Sequence, residues 1–217
     1  MDTVVANNQN TGQETKTETL LVSGGTAFCL LKRCFDIVCA MVGLVLLFLP
    51  MVLIAVLIRL DSPGPVIYKQ ERLGQNRKPF VLYKFRSMRM DAEEDGPQWA
   101  EKDDARTTKI GRFLRNSRLD ELPQFWNILC GEMSFVGPRP EREYFYNIFV
   151  AYIPDFEKRM LVKPGLTGWA QVNGGYDLQA EEKIVFDLEY IRKRSIKMDI
   201  RCILKTVKLV FTHEGAR

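Results

Sequence analysis

Asp120 and Glu121 are adjacent carboxylates within "NSRLDELPQFWNIL" (116–129), and basic residues crowd the approach to them. Arg106, Lys109, Arg112, Arg115 and Arg118 recur every third residue, and positions 105–119 contain no acid. Three-residue neighbours share a helix surface, so an unbalanced row of cations suggests a phosphate or carboxylate partner. Lipid headgroups or the acidic stretch upstream would also satisfy it. A carboxylate at a helix start beside several guanidiniums should have a depressed pKa and stay ionised. An ionised Asp can attack phosphorus, and a neighbouring Glu can hold a divalent cation. A plainer role competes: Asp120 can cap a helix whose first turn holds Glu121 and Pro123. The two readings are compatible.

Other stretches could join this chemistry. In "SFVGPRPERE" (134–143), Gly137, Pro138 and Pro140 fix a stiff turn that presents Arg139, which could grip phosphate with two parallel hydrogen bonds. Read alone, the same pattern also makes a structural turn. "KPGLTGWAQVNGG" (163–175) sets glycines around Trp169, where backbone could approach a ligand closely, although a lone glycine-rich loop is weak evidence. No Walker loop or dinucleotide fingerprint occurs. The single histidine, His213, gives little support to a histidine base. Five cysteines without a Cys-x-x-Cys pair read as reduced structural thiols. "MDAEEDGPQWAEKDD" (90–104) lacks Asp-x-Asp spacing and reads as a solvated acidic loop without a metal.

The elements that must position these groups divide unevenly along the 217 residues, enough for one domain plus an appendage. A net charge of +4 admits an anionic partner without demanding one. Residues 1–19 are polar and aperiodic, as in a disordered tail. Residues 37–58 run for 22 positions without a charge, long enough for a bilayer core that needs roughly 20 helical residues. Pro50 interrupts this run. It leaves arms of about 20 Å and about 12 Å, neither of which spans about 30 Å of hydrocarbon alone. A kinked crossing and a helix-break-helix that leaves by its entry face both remain open. Lys32 and Arg33 before the run and Arg59, Lys69 and Arg72 after it suit the second.

Beyond the apolar run, strands are predicted near 66–68 and over 79–88. Helices dominate from Thr107. One over 141–153 carries Tyr144, Phe145, Tyr146 and Phe149, either as core or as an interfacial belt. A last helix carries Ile196, Ile200, Ile203, Leu204, Val207 and Phe211 at helical spacing among lysines and arginines. It could lie on an anionic membrane or pack on the domain.

The order apolar segment, "KFRSM", "LDELPQ", "VGPRP", "KPGLTGWAQVNG" resembles the bacterial sugar transferases, monotopic phosphoglycosyl transferases that start surface-polysaccharide and glycoconjugate assembly. The likeness covers roughly residues 32–214. It implies an α+β, mostly helical fold: a flexible tail over 1–31, a re-entrant membrane helix over 32–60 broken at Pro50, and a cytoplasmic catalytic domain over 61–217 with short strands and interfacial amphipathic helices. It also implies transfer of a sugar 1-phosphate from a UDP-sugar, with UDP-glucose or UDP-galactose expected, to polyprenyl (undecaprenyl) phosphate at the bacterial inner membrane. By this resemblance Asp120 is the nucleophile and Glu121 binds Mg²⁺, with Asp120 beside the metal. The likeness matches Lys84 and Arg139 to positions near the phosphates and nucleotide, and Arg86, Pro138 and Pro140 beside them, with Arg112, Arg115 and Arg118 of the basic row, are expected to line the same site.

Membrane lipid is an implied partner and nucleic acid is not, and a homo-oligomer is left open. Two positions depart from the family's habit: Leu49 stands before the breaking proline where Ser is frequent, and Gly175 and Tyr176 follow "VNG" where Arg is frequent. A non-catalytic membrane scaffold that holds anionic lipid or a protein partner is the alternative reading, and a nucleotide-sugar hydrolase is another.

Overall fold

The uncharged run folds as two helices, α1 (Thr26–Leu46) and α2 (Phe48–Asp61), bent by 60°. These come from a computed structural model that describes residues 22–94, 96–99, 104–174 and 178–212. The readings made above of residues 1–19, Gly175, Tyr176 and His213 therefore fall outside the described residues. α1 starts at Thr26, inside the stretch read as tail. The break lies at Leu47 rather than at Pro50 itself. Pro50 has no N–H to give the Leu46 carbonyl and its ring crowds that oxygen, so α1 stops there and Pro50 takes a first-turn position of α2. The ladder resumes where Met51 N donates to Leu47 O at 2.8 Å. Among the described residues no single helix is long and apolar enough to cross a membrane; the pair passes that test only together. Leu46, Leu49, Leu53 and Leu60 are exposed along its outer side, while Ala40, Ile54 and Ile58 are buried against the rest of the chain.

Next come β1 (Ile67–Leu73) and β2 (Pro79–Phe85), an antiparallel hairpin with Tyr68 opposite Lys84 and Arg72 opposite Phe80. Side chains alternate along a strand, so Tyr68, Gln70 and Arg72 share one face with Lys84. α3 (Lys109–Asn116) is capped by Thr108, whose hydroxyl accepts from Gly111 N at 2.9 Å. α4 (Gln124–Cys130), β3 (Ser134–Val136), α5 (Glu143–Val150), β4 (Gly165–Thr167) and α6 (Trp169–Asn173) follow. α7 (Ala180–Lys193) and α8 (Ile196–Thr212) close the described chain.

β3 and β4 pair in parallel inside two segments read above as turns. A Cβ on Gly165 would sit 2.1 Å from Gly137 N, so this pairing needs glycine for backbone to meet backbone.

Three packings matter for the site. Tyr146 and Phe149 of α5 join Phe156 and Ile184 in one core cluster, so half of the aromatic belt is core, and Tyr144 is exposed. Val136, Trp169, Tyr190 and Cys202 form a second. Ile54, Ile58, Phe85 and Leu114 form another, with Leu119 and Leu122 against it. α8 packs on the domain through buried Cys202, while Ile196, Ile200, Leu204 and Val207 are exposed. Polar contacts tie the bent pair to the domain. Lys32 donates to Asp199 of α8 at 2.6 Å, and Asp36 accepts from Ser134 Oγ at 3.1 Å and Phe135 N at 3.0 Å. The cysteines Cys29, Cys34, Cys39, Cys130 and Cys202 are all free thiols.

Candidate active site

Asp120 and Glu121 lie in a 3-10 turn, Leu119–Glu121, between α3 and α4. Asp120 caps nothing: α4 begins at Gln124, with Pro123 before it and no side-chain cap. Arg118 adopts φ 57°, a left-handed conformation that an arginine takes only at a cost, and it turns the chain out of α3. Leu119 and Leu122 flank the acids and pack beside Ile54, Ile58, Phe85 and Leu114. That apolar anchorage holds both carboxylates, each 8% exposed, on the wall of a cavity of about 770 Å³.

Cations line the same end. Lys84 arrives on β2, Arg115 on α3, Arg118 at the left-handed turn and Arg139 from the Pro138–Pro140 segment. Arg139 donates to Glu121 Oε1. Burial alone would push Glu121 up, but Arg139 and then Lys84 outweigh it and hold the carboxyl down at about 2. Burial, and next the charge of Glu121, push Asp120 up to about 6 against Lys84 and Arg139. The expectation of a depressed Asp120 is thereby corrected. Two carboxylates that share a buried site cannot both ionise easily, and Arg139 hydrogen-bonds Glu121. Burial, then Arg139, lowers Lys84 to about 8.

The arginine row does not act as one face. Arg106, Arg115 and Arg118 line the cavity, whereas Lys109 and Arg112 are not among its lining residues and Arg112 is exposed. Arg106 is paired with Asp104 at 2.6 Å. Arg86 borders the cavity, but its guanidinium donates to Ser62 O and Pro63 O, each at 2.7 Å, and to Ser62 Oγ at 2.8 Å. It serves the carbonyls at the end of α2, groups that no helical N–H can reach. Pro140 lines the cavity, and Pro138 is buried behind it.

Several lining residues were not singled out as candidates from the sequence. Tyr68, Gln70 and Arg72 come from one face of β1, and period-two spacing was the available signal. The acidic loop is not merely solvated: Glu93 pairs with Arg142 at 2.8 Å, and Trp99 packs edge-on against Phe145 with ring centroids 5.8 Å apart. Lys183 of α7 stands 4.9 Å from the Trp99 ring centroid. Glu93, Trp99, Arg142 and Lys183 all border the cavity. No short-range pattern announces these meetings.

Among the described residues no group of three or more His, Cys, Asp or Glu gathers as a ready-made metal cage. Mg²⁺ keeps several waters and is commonly held by one or two carboxylates plus substrate phosphates. Asp120 and Glu121, side by side at a cationic end, match that donor set.

Comparison with known proteins adds a second line. The family described as bacterial sugar transferase matches residues 27–213. The chain is 42% identical over 193 residues to a UDP-N-acetylgalactosamine-undecaprenyl-phosphate N-acetylgalactosaminephosphotransferase of Aeromonas hydrophila, covering 88% of this chain and 46% of the relative. It is 43% identical over 192 residues to the UDP-glucose:undecaprenyl-phosphate glucose-1-phosphate transferase of Escherichia coli (strain K12), covering 86% and 41%. A galactosyl transferase of Streptococcus agalactiae serotype III (strain NEM316) is 40% identical over 198 residues, covering 86% and 43%. The chain thus spans less than half the length of each of these three relatives.

Proposed function

The chain belongs to the bacterial sugar transferase family, and from that membership we propose that it moves a sugar 1-phosphate from a UDP-sugar to polyprenyl (undecaprenyl) phosphate. One observation carries the reading: two adjacent, buried carboxylates of unequal proton affinity face a cavity whose same end holds Lys84, Arg115, Arg118 and Arg139. Phosphoryl transfer is mostly positioning and charge neutralisation, and this end supplies both.

In the proposed reaction an Asp120 oxygen attacks the sugar-side phosphorus of the donor. The bond from that phosphorus to the bridging oxygen breaks, and UMP leaves with the electron pair. A phosphate oxygen of the lipid then attacks the phosphosugar held on Asp120, and the carboxylate is released as the leaving group. With a pKa of about 6, Asp120 is mostly ionised at pH 7 yet more basic than an ordinary carboxylate, which suits a nucleophile. Glu121 stays charged, and with Asp120 it would hold Mg²⁺, which when bound supplies positive charge to the donor's diphosphate. Lys84 and Arg139 neutralise the phosphoryl oxygens.

We place the bent α1–α2 pair in one leaflet of the bacterial inner membrane with the catalytic part on the cytoplasmic side. The uncovered leucines along both arms and the exposed apolar face of α8 support this. Lys32, five residues before the uncharged run, bonds Asp199 in the first turn of α8 and so ties that helix to the bent pair.

A donor panel tests the reading. UDP-glucose, UDP-galactose and UDP-N-acetylgalactosamine are each incubated with undecaprenyl phosphate, and UMP and lipid-linked sugar are measured. At least one donor should give both in equal amount, and chelation of divalent metal should stop the reaction. UMP release with only free sugar phosphate would establish a hydrolase instead. No UMP from any donor would leave the scaffold reading standing.

A further inference from the structure

Arg159 has no place in the chemistry so far, yet it is one of the most deeply buried cations among the described residues, 4% exposed. It comes from the 3-10 stretch Phe156–Leu161 and stacks its guanidinium over the Phe156 ring, 4.9 Å from the centroid. Its Nη2 lies 2.8 Å from Oδ2 of Asp187 on α7, itself 1% exposed, and its Nη1 lies 3.4 Å from Glu141 Oε1. The same Nη2 donates to the backbone oxygen of Arg139 at 3.0 Å.

That last bond is one of four in a row. Pro138 O accepts from Gly165 N at 2.9 Å, Arg139 O from Arg159, Pro140 O from Arg72 Nη1 at 3.0 Å, and Glu141 O from Leu73 N at 2.9 Å. Four consecutive carbonyls are thus tied to β4, to the 3-10 stretch and twice to β1. The two prolines fix their own φ and donate nothing, so carbonyls are the handles by which this turn can be held. Three of the four ties fall on or beside Arg139, whose guanidinium reaches Glu121.

We propose that Arg159 is a positioning residue: seated by Asp187 and Glu141, it holds the Arg139 carbonyl so that the Arg139 guanidinium meets the donor's phosphates. The proposal rests on the reading of Arg139 as a phosphate ligand given above. A buried ion pair is weak evidence for stability, because apolar residues of similar volume frequently replace one at little cost. What such a pair supplies here is geometry, since misplacing a catalytic group by about 1 Å can cost on the order of 100-fold in rate.

A double-mutant cycle separates positioning from support of the fold. Arg159→Met, Arg139→Ala and the combination are compared for UMP release from a mixture of UDP-glucose, UDP-galactose and UDP-N-acetylgalactosamine with undecaprenyl phosphate. Positioning predicts that Arg159→Met lowers turnover roughly 10- to 100-fold in the native background and less than about twofold in the Arg139→Ala background. Equal losses in both backgrounds would overturn the proposal and leave Arg159 a structural residue. Full turnover of Arg139→Ala alone would instead remove the phosphate role of Arg139, and the proposal with it. Should Arg159→Met fail to fold, Arg159→Met with Asp187→Leu removes both buried charges together. Arg159→Lys provides a third arm. It keeps the charge beside Asp187 but cannot reach Asp187, Glu141 and the carbonyl at once, and the same two factors decide the matter.

Discussion

Asp120 and Glu121 are neighbours in the chain and equally buried, yet burial and the charge of Glu121 push Asp120 up, while the charges of Arg139 and Lys84 hold Glu121 down. That asymmetry predicts a pH profile. In the donor half-reaction kcat/KM should rise as Asp120 ionises near pH 6 and fall as Lys84 loses its proton near pH 8, giving a bell. Lys84→Arg should flatten the alkaline limb and leave the acid limb in place, and an unchanged alkaline limb would remove Lys84 from the account. Stability should move as well. The folded-state value of Asp120 lies above its ordinary 3.8, so its contribution is full below about pH 4 and is lost as the pH rises through about 6. Above that the deficit is constant, about 3 kcal/mol at most. Asp120→Asn should therefore raise the thermal midpoint at pH 7.5, by roughly 5 °C, and change it little at pH 4. A lower midpoint at pH 7.5 would contradict the assigned strain. At this scale the residue types and their order were legible in the sequence. The side-chain targets were not, because Arg86 and Arg112 look like their neighbours until the end of α2 and the open solvent claim them.

The bent pair and the hairpin show what a local pattern can and cannot reveal. A long uncharged run with a proline in it announces two helical arms, and those arms are present. The exact break was offset by three residues, because proline acts on the carbonyl four positions earlier. Replacing Pro50 by Leu restores a donor for Leu46 O, and one straight helix over residues 26–61 would be about 54 Å long, ample for a crossing. Cysteine labels at positions 10 and 94 of the otherwise cysteine-free protein in intact cells should react from the same side, and Pro50→Leu should move part of the population to opposite sides. Opposite accessibility in the native chain would exclude the one-leaflet arrangement. β3 and β4 escaped notice for a different reason. Three residues carry no periodicity, and a parallel pair joined across a whole helix leaves no trace in any short window.

Taken whole, the molecule builds its cavity from β1, β2, the acidic loop, α3, the Asp120 turn, the Arg139 turn, α5 and α7, segments spread from residue 65 to residue 183. Its anchorage runs through the same parts: Leu119 and Leu122 seat the two acids beside Ile54 and Ile58 of α2, so the bent pair and the acidic end of the cavity share one core. The sequence disclosed this as an ordered set of motifs, whereas distant meetings such as Lys183 with Trp99, or Arg159 with Asp187, belong to the tertiary structure alone. All of it serves one claim, that the carboxylate of Asp120 carries the phosphosugar between donor and lipid. Intact-protein mass spectrometry after incubation with a UDP-sugar and Mg²⁺, without lipid, tests it most directly. A mass gain of one sugar phosphate that vanishes when undecaprenyl phosphate is added, and that Asp120→Asn never shows, is the predicted result. Full lipid-linked product from the Asp120→Asn enzyme would contradict it.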